Sequence, residues 1–371
     1  MKSIYNIIIL SLIIATSANA LDKAKEEFKK SIKKEFDISR SGEVILSNKY
    51  GNIDIRTNGN TDKVVIEVEI IVNARNEDVA NDAFERINID FESSSGMVKA
   101  ETVLDSQKGN WWSGNSKSYD FKINYDVSIP SSVELDVSNK YGNVYAMAVD
   151  NDIDLEIKYG NFKLEGGQEV TVECKYGMGE IGTCNNLNAD LGYVSGEGFQ
   201  VEKCSNAEID SKYSKIKIKN AKTINADAGY DNYDIGYTEV FKLDGNYNKI
   251  NIDDVVDFST DTKYTNINIE ELRGSADIDM GYGGLDIYKV HAGFKSIIVD
   301  SKYAAVKMRI ASDATYEVNL DADYAGIEYP ENLDVRISDK DNNSKHVEGR
   351  VGSNPSGTIK VTSDYGSIKI R

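Results

Sequence analysis

The sequence predicts an all-β protein: a parallel β-solenoid of 17–21-residue rungs behind an N-terminal antiparallel β cap. Three observations carry this. First, a tyrosine returns with the same neighbours, as in SNKYGNIDI around Tyr50, SNKYGNVYA around Tyr141, IKYGNFKL around Tyr159, TKYTNINI around Tyr264 and SDYGSIKI around Tyr365. Twenty residues cannot bury a core alone, so each copy is one rung of a stack. Second, apolar residues alternate with polar ones on both sides of the tyrosine. Position +3 is apolar in eleven of thirteen copies, and positions −4 and −6 are mostly apolar, the period of a strand with one buried face. Third, Pro130, Pro330 and Pro355 leave 131–329 free of proline, as strands paired on both sides require.

In chain order, residues 1–20 read as a cleaved export signal, with Lys2 before the apolar run Ile7–Ile14 and Ala18-Asn19-Ala20 at the cleavage site. The run is too short to span a bilayer, and no later segment is long and apolar enough to do so. Residues 21–36 place Leu21, Ala24, Phe28, Ile32 and Phe36 near helical spacing and predict a helical segment. Residues 37–130 predict the cap, with the first repeat at Tyr50, strands over 63–72, 87–103 and 119–129, and a short helix over 77–86. Residues 131–330 form the solenoid. The ten intervals from Tyr141 to Tyr324 predict a rod of roughly 48 Å at about 4.8 Å per strand. Residues 331–371 form an irregular segment and a last copy, Tyr365, that closes the far end.

Each rung reads as a strand ending at the tyrosine, a bend, a shorter strand and a return. Glycine often follows the tyrosine (Gly51, Gly142, Gly160, Gly177, Gly283, Gly366), which predicts positive φ there. Small residues at −2 predict room for the ring across the interior, with its hydroxyl on a polar partner.

Net charge is −18, and the leader carries only Lys2, so its removal leaves −19. Nucleic acid and anionic lipid are excluded as partners on this ground. An envelope protein or a glycan remains, with cationic partners, anionic ones bridged by metal ions and neutral glycans open on charge. Position −3 is acidic in ten successive copies: Glu156, Glu173, Asp190, Asp210, Asp227, Asp244, Asp261, Asp279, Asp300 and Asp321. Stacked in register they form a carboxylate row, partly offset by Lys158, Lys175, Lys212, Lys263 and Lys302 at −1. Two readings stand: a solvated edge, or a linear array for calcium or another hard cation, although no D-x-[DN]-x-[DN]-G loop is present. No other cofactor is implied.

Cys184 and Cys204 each lie nine residues before a tyrosine, the same position on successive rungs. In an oxidising compartment this predicts a disulfide between them, with two stacked free thiols as the alternative and Cys174 as a buried hydrophobe. Trp111 and Trp112 lie in DSQKGNWWSGNSKS, either as cap core or as an exposed platform for sugar rings. His291 and His346 join no serine or cysteine constellation, and His346 reads as solvated. A regular carboxylate ladder offers no pair with separated pKa values. The chain therefore reads as a non-enzyme, with a glycan-active β-helix as the alternative class.

EFDISRSGEVILSNKYGNIDI at 35–55, NEDVANDAFERINIDF at 76–91, YDVSIPSSVELDVSNKYGNV at 125–144 and GTIKVTSDYGSIKI at 357–370 together resemble the adhesin-like family of bacterial envelope β-strand-repeat proteins, many known only as a domain of unknown function. The resemblance implies adhesion or an envelope structural role and brings no catalytic or binding residues. A periplasmic sensor or scaffold is the alternative. No sorting or anchoring motif follows the last copy, so periplasm and outer surface are equal expectations.

Overall fold

The computed structural model describes residues 25–59, 61–105 and 119–371. The chain forms two compact units that divide between Glu180 and Ile181. In chain order the first contains β1 (Glu26–Asp37), β2 (Glu43–Lys49), β3 (Ile53–Thr57), β4 (Lys63–Ala74), α1 (Glu77–Phe84), β5 (Ile87–Ser93), β6 (Met97–Leu104), β7 (Asp120–Ile129), β8 (Glu134–Lys140), β9 (Val144–Ala146), β10 (Ile153–Lys158) and β11 (Asn161–Lys175). Two parallel rows meet at the tyrosine corner. Before the tyrosine the order is β6-β2-β8-β10-β11; after it, β7-β3-β9-β11. The cap is antiparallel outside these rows, with β5 on β6, β4 on β7 and β1 on β4. The expected cap is thus antiparallel only in its outer layer, since β6 and β7 continue the parallel rows. Helix α1 begins at Asn76, whose side chain accepts the Val79 N–H at 3.0 Å, and buries Val79, Ala80 and Ala83. Among the described residues no helix is long and apolar enough to cross a membrane.

The helix expected over 21–36 is instead the edge strand β1, paired residue for residue with β4 from Glu26↔Ala74 to Asp37↔Lys63. Phe28, Ile32 and Phe36 are four apart, a spacing that keeps residues together on a strand as well as on a helix. The partner decided between them. On the outward face Lys29 meets Glu69 at 3.4 Å and Lys33 meets Glu67 at 3.2 Å, and an edge lined with charge resists pairing with another chain. Residues 1–24 and Trp111 and Trp112 lie outside the described residues.

Strand β12 (Met178–Gly192) leads into the second unit, which contains β13 (Phe199–Lys212), β14 (Lys215–Gly229), β15 (Asn232–Asn246), β16 (Lys249–Lys263), β17 (Asn266–Val290), β18 (Ser296–Ile310), β19 (Tyr316–Asp323), β20 (Ile327–Glu328), β21 (Asp334–Lys340), β22 (Ser344–Val351), β23 (Gly357–Asp364) and β24 (Ile368–Ile370). Strands β13 to β18 pair in parallel, each with the next. The last copy does not close the end as expected. Strand β23 lies between β18 and β19, and β24 between β18 and β20. The outermost strands are the antiparallel pair β22 on β19 and β21 on β22.

The tyrosine corner has its own chemistry. All thirteen repeat tyrosines have φ between 54° and 65°, so the left-handed residue is the tyrosine, not the glycine after it. This turn aims the tyrosine N–H along the stack, where it donates to the residue before the next tyrosine: Tyr50 to Lys140 at 2.9 Å, Tyr141 to Lys158 at 3.0 Å, Tyr230 to Asn246 at 3.1 Å. Glycine follows because the backbones nearly touch. A Cβ on Gly142 would stand 1.8 Å from the Gly51 carbonyl oxygen, and one on Gly160 1.9 Å from that of Gly142. Asparagine comes next because its side-chain oxygen accepts the following rung's amide. Asn52 takes the Asn143 N–H at 3.0 Å, Asn143 takes Asn161 at 2.9 Å, and Asn161 takes Met178 at 3.0 Å. Tyr-Gly-Asn is therefore a steric and hydrogen-bonding solution to one corner.

The middle of the second unit solves the corner differently. In place of glycine it has Ser214, Asp231, Asn248 and Thr265, all buried. Their side chains accept the amide one rung back: Val194 N–H to Ser214 at 3.2 Å, Ser214 to Asp231 at 2.6 Å, Asp231 to Asn248 at 2.9 Å, Asn248 to Thr265 at 3.2 Å. Asp231 also accepts from Ser211 Oγ and the Gly229 N–H, both at 2.8 Å. Burial pushes its pKa upward against the pull of these donors.

The glycine contact gives a direct prediction. Gly142→Ala pushes neighbouring backbones apart and lowers stability by about 1–3 kcal/mol, the range for overpacking. Gly96→Ala, where a Cβ meets nothing within 4 Å, leaves the melting temperature unchanged. Equal melting temperatures for the two variants would refute the contact.

Candidate functional site

The tyrosine rings point outward, contrary to the interior placement expected from the small residues at −2. The reason is the left-handed backbone, which sends the inward space to the residue after the tyrosine. Within the first unit Tyr50, Tyr141, Tyr159 and Tyr176 stack with centroids 5.0–5.2 Å apart. Within the second, Tyr193, Tyr213, Tyr230, Tyr247, Tyr264, Tyr282 and Tyr303 stack at 4.6–5.0 Å with their planes nearly parallel. Tyr365 then stands between Tyr303 at 4.7 Å and Tyr324 at 4.9 Å. These rings are about half exposed, yet their faces cover one another. Edges and hydroxyls are left for solvent, so a ring with a stacked neighbour on each side offers no face to a sugar.

The carboxylates at −3 align as expected within each unit. Glu156 pairs in register with Glu173, and Asp210, Asp227, Asp244, Asp261, Asp279 and Asp300 follow one another. Asp190 lies on β12. The row is broken near its end, where Thr362 of the inserted β23 separates Asp300 from Asp321. Lys158 meets Glu156 at 2.5 Å and Glu173 at 3.3 Å, and Lys175 meets Glu173 at 3.0 Å. The Lys175 hydrogen bond, then Lys158, holds Glu173 below the usual carboxylate range. Asp279 is shifted the other way, first by partial desolvation and then by Asp261 and Asp300. Asp210, Asp227 and Asp244 line a shallow 510 Å³ groove with Glu208, Asn225 and Lys242. Among the described residues no three His, Cys, Asp or Glu side chains converge where a metal ion could be held. The row therefore has no preformed calcium cage.

Cys184 and Cys204 do meet, as their shared phase requires, within hydrogen-bonding reach. All three cysteines stand as free, buried thiols rather than with Cys184 and Cys204 bridged. The contact with Cys204, together with burial, keeps the Cys184 proton in place, and burial alone pushes Cys174 up to about 12. His346 is not free in solvent. It lies on β22 with Nδ1 2.6 Å from Asp321 and Nε2 3.3 Å from Glu348, and the Asp321 contact raises its pKa. His291 Nε2 meets Glu271 at 2.7 Å. Neither histidine has a serine or cysteine nucleophile among its side-chain partners.

A family model, Toastrack DUF4097, matches residues 102–371. The chain belongs to this family. The match takes in the Toastrack strands from β7 onward, including the inserted β23 and β24. No curated protein sequence matches the chain. Among solved structures, a "putative cell adhesion protein" from Clostridium sporogenes is 11% identical, covering 92% of this chain and 99% of its own, with a TM-score of 0.18. A "putative adhesin" from Bacteroides fragilis is 10% identical over 92% and 97%, TM-score 0.27. Another from Parabacteroides distasonis is 12% identical over 77% and 95%, TM-score 0.27.

Two measurements follow. The raised Asp279 pKa means that the folded state takes up this proton more readily than the unfolded chain. The ionised carboxylate thus costs stability at neutral pH, and the cost is relieved as pH falls through its folded pKa. Asp279→Asn accordingly raises the melting temperature at pH 7, and the gain disappears in acid. No gain at pH 7 would show that the row is already compensated. For the cysteines we propose that the predicted bridge forms on oxidation. Protein held in an oxidising thiol–disulfide buffer then shows one titratable thiol in denaturant, from Cys174, and three after reduction. Three under both conditions would remove the bridge.

Proposed function

We propose that this chain is a non-catalytic, exported, adhesin-like β-solenoid that binds or scaffolds at the bacterial cell envelope, in the periplasm or on the outer surface. The observation that carries this reading is the sameness of its outer faces. Within each unit the tyrosines recur in one backbone conformation with their rings stacked, and the carboxylates recur at one register position. A repeated face suits contact spread along an extended partner. Catalysis needs one pair of groups in distinct environments, and repetition works against that. The sequence resemblance to envelope β-strand-repeat proteins supports the adhesion side. The charge of −18 favours glycans or cationic protein surfaces over nucleic acid.

The deciding experiment is fractionation of native cells, with protease added to intact ones. Digestion on intact cells is the outcome expected of an adhesin. Protection until the outer membrane is opened would overturn adhesion and favour a periplasmic sensor or scaffold. Recovery only in the cytoplasm would overturn the envelope reading altogether.

A further inference from the structure

The insertion of β24 between β18 and β20 builds a cationic patch on this acidic protein. In register across the strands lie Asp286, Lys307, Lys369 and Glu328. Two residues further along, Arg371 continues beside β18, donating its N–H to the Met308 carbonyl at 3.0 Å and accepting the Ile310 N–H at 2.7 Å. This brings its side chain level with Arg309. Lys307, Arg309, Lys369, Arg371, Asp286 and Tyr288 line a groove of about 310 Å³, with Ile287 and Met308 as its floor. Four cations and one carboxylate thus face one depression on a chain of net charge −18.

The charges are unevenly matched. Lys307 meets Asp286 at 3.3 Å, and Lys369 meets Glu328 at 2.5 Å. Arg371 reaches Glu328 only at 3.9 Å, and Arg309 makes no ion pair among the described residues. Corresponding lysines elsewhere have acids, as in Lys219–Glu202 at 2.5 Å and Lys163–Glu180 at 2.7 Å. Arginines at adjacent register positions lining one groove, one without an ion pair among the described residues and one with only a distant partner, match the paired oxygens of a carboxylate or phosphate. Tyr288 adds the second half of the site. It is 47% exposed, and among the described residues its ring stacks on no other. Unlike the ladder tyrosines, its face is not taken up by another aromatic ring among the described residues.

We propose that this groove binds an acidic oligosaccharide, with the oxyanion of one sugar on Arg309 and Arg371 and an adjacent sugar ring on Tyr288. The oxyanion is a uronate carboxylate or a sugar phosphate, which present the same chemistry to the arginines. The proposal deepens the envelope-binding reading and rests on it for its setting. Attraction at an exposed site is screened by salt, so affinity falls as ionic strength rises.

The test is calorimetric titration of the whole protein with a galacturonate oligomer, a phosphorylated oligosaccharide, a neutral galactose oligomer and inorganic phosphate. At least one acidic oligomer binds and the neutral one does not, and whichever binds identifies the oxyanion. Arg309→Gln with Arg371→Gln weakens binding by about tenfold or more, the loss of charged hydrogen bonds. Tyr288→Ala weakens the oligomer and leaves inorganic phosphate unchanged. Melting curves matching wild type establish that the variants are folded. The proposal is overturned if neither acidic oligomer binds, if neutral and acidic oligomers bind alike, if the variants bind as wild type, or if inorganic phosphate binds as tightly as the oligomers. Protease treatment of intact cells reads the envelope role independently, so an envelope-located protein with an inert groove sinks this inference alone.

Discussion

Everything in this fold depends on how closely successive rungs approach at the tyrosine corner. A tyrosine in the left-handed region turns its amide along the stack, where the next rung's carbonyl accepts it. That conformation costs about 1–2 kcal/mol for a residue with a Cβ, so the corner needs compensation. Ring stacking at 4.6–5.2 Å supplies some of it, since aromatic pairs contribute about 0.5–1.5 kcal/mol beyond the area they bury. The remainder comes from satisfying the amides just beyond the bend, which a buried corner could not otherwise leave unpaired.

Two sequence solutions serve that second need. Where glycine follows tyrosine, the backbones close to near contact and asparagine carries the amide bond outside. Where serine, aspartate, asparagine or threonine follows, the bond runs inside through buried side chains. The inside solution tolerates a carboxylate, Asp231, only because three donors surround it. In these copies the change of residue after the tyrosine exchanges one hydrogen-bond acceptor for another, whereas Val194, Ala304 and Ala325 supply neither a glycine nor an acceptor.

The ends show what a stack must do with open edges. In the first unit, strands reverse direction outside the parallel rows, and the last of them, β1, presents salt-bridged lysine and glutamate. In the second, a hairpin covers β19 while the final repeat copy slides inward beside β18. That rearrangement breaks the carboxylate row with Thr362, places Tyr365 between Tyr303 and Tyr324, and gathers four cations from two distant stretches of chain. One topological event therefore produces the place in the second unit where repetition fails and chemistry becomes local.

The sequence by itself determined the solenoid, because a 17–21-residue period with two-residue alternation has no other way to bury its apolar face. It also determined that Asp210 to Asp300 share a row and that Cys184 and Cys204 meet, since equal phase from the tyrosine means equal position on the rung, but not that Thr362 would separate Asp300 from Asp321. Only the tertiary structure decided the rest. Phe28, Ile32 and Phe36 fit either period until β4 offered an edge. The tyrosines went outward because the left-handed turn falls on them and not on the glycine, a choice set by contact with the neighbouring rung. The place of the last copy was hidden for the same reason: phase specifies where a residue lies on a rung, and only edge-to-edge pairing specifies which rungs are neighbours.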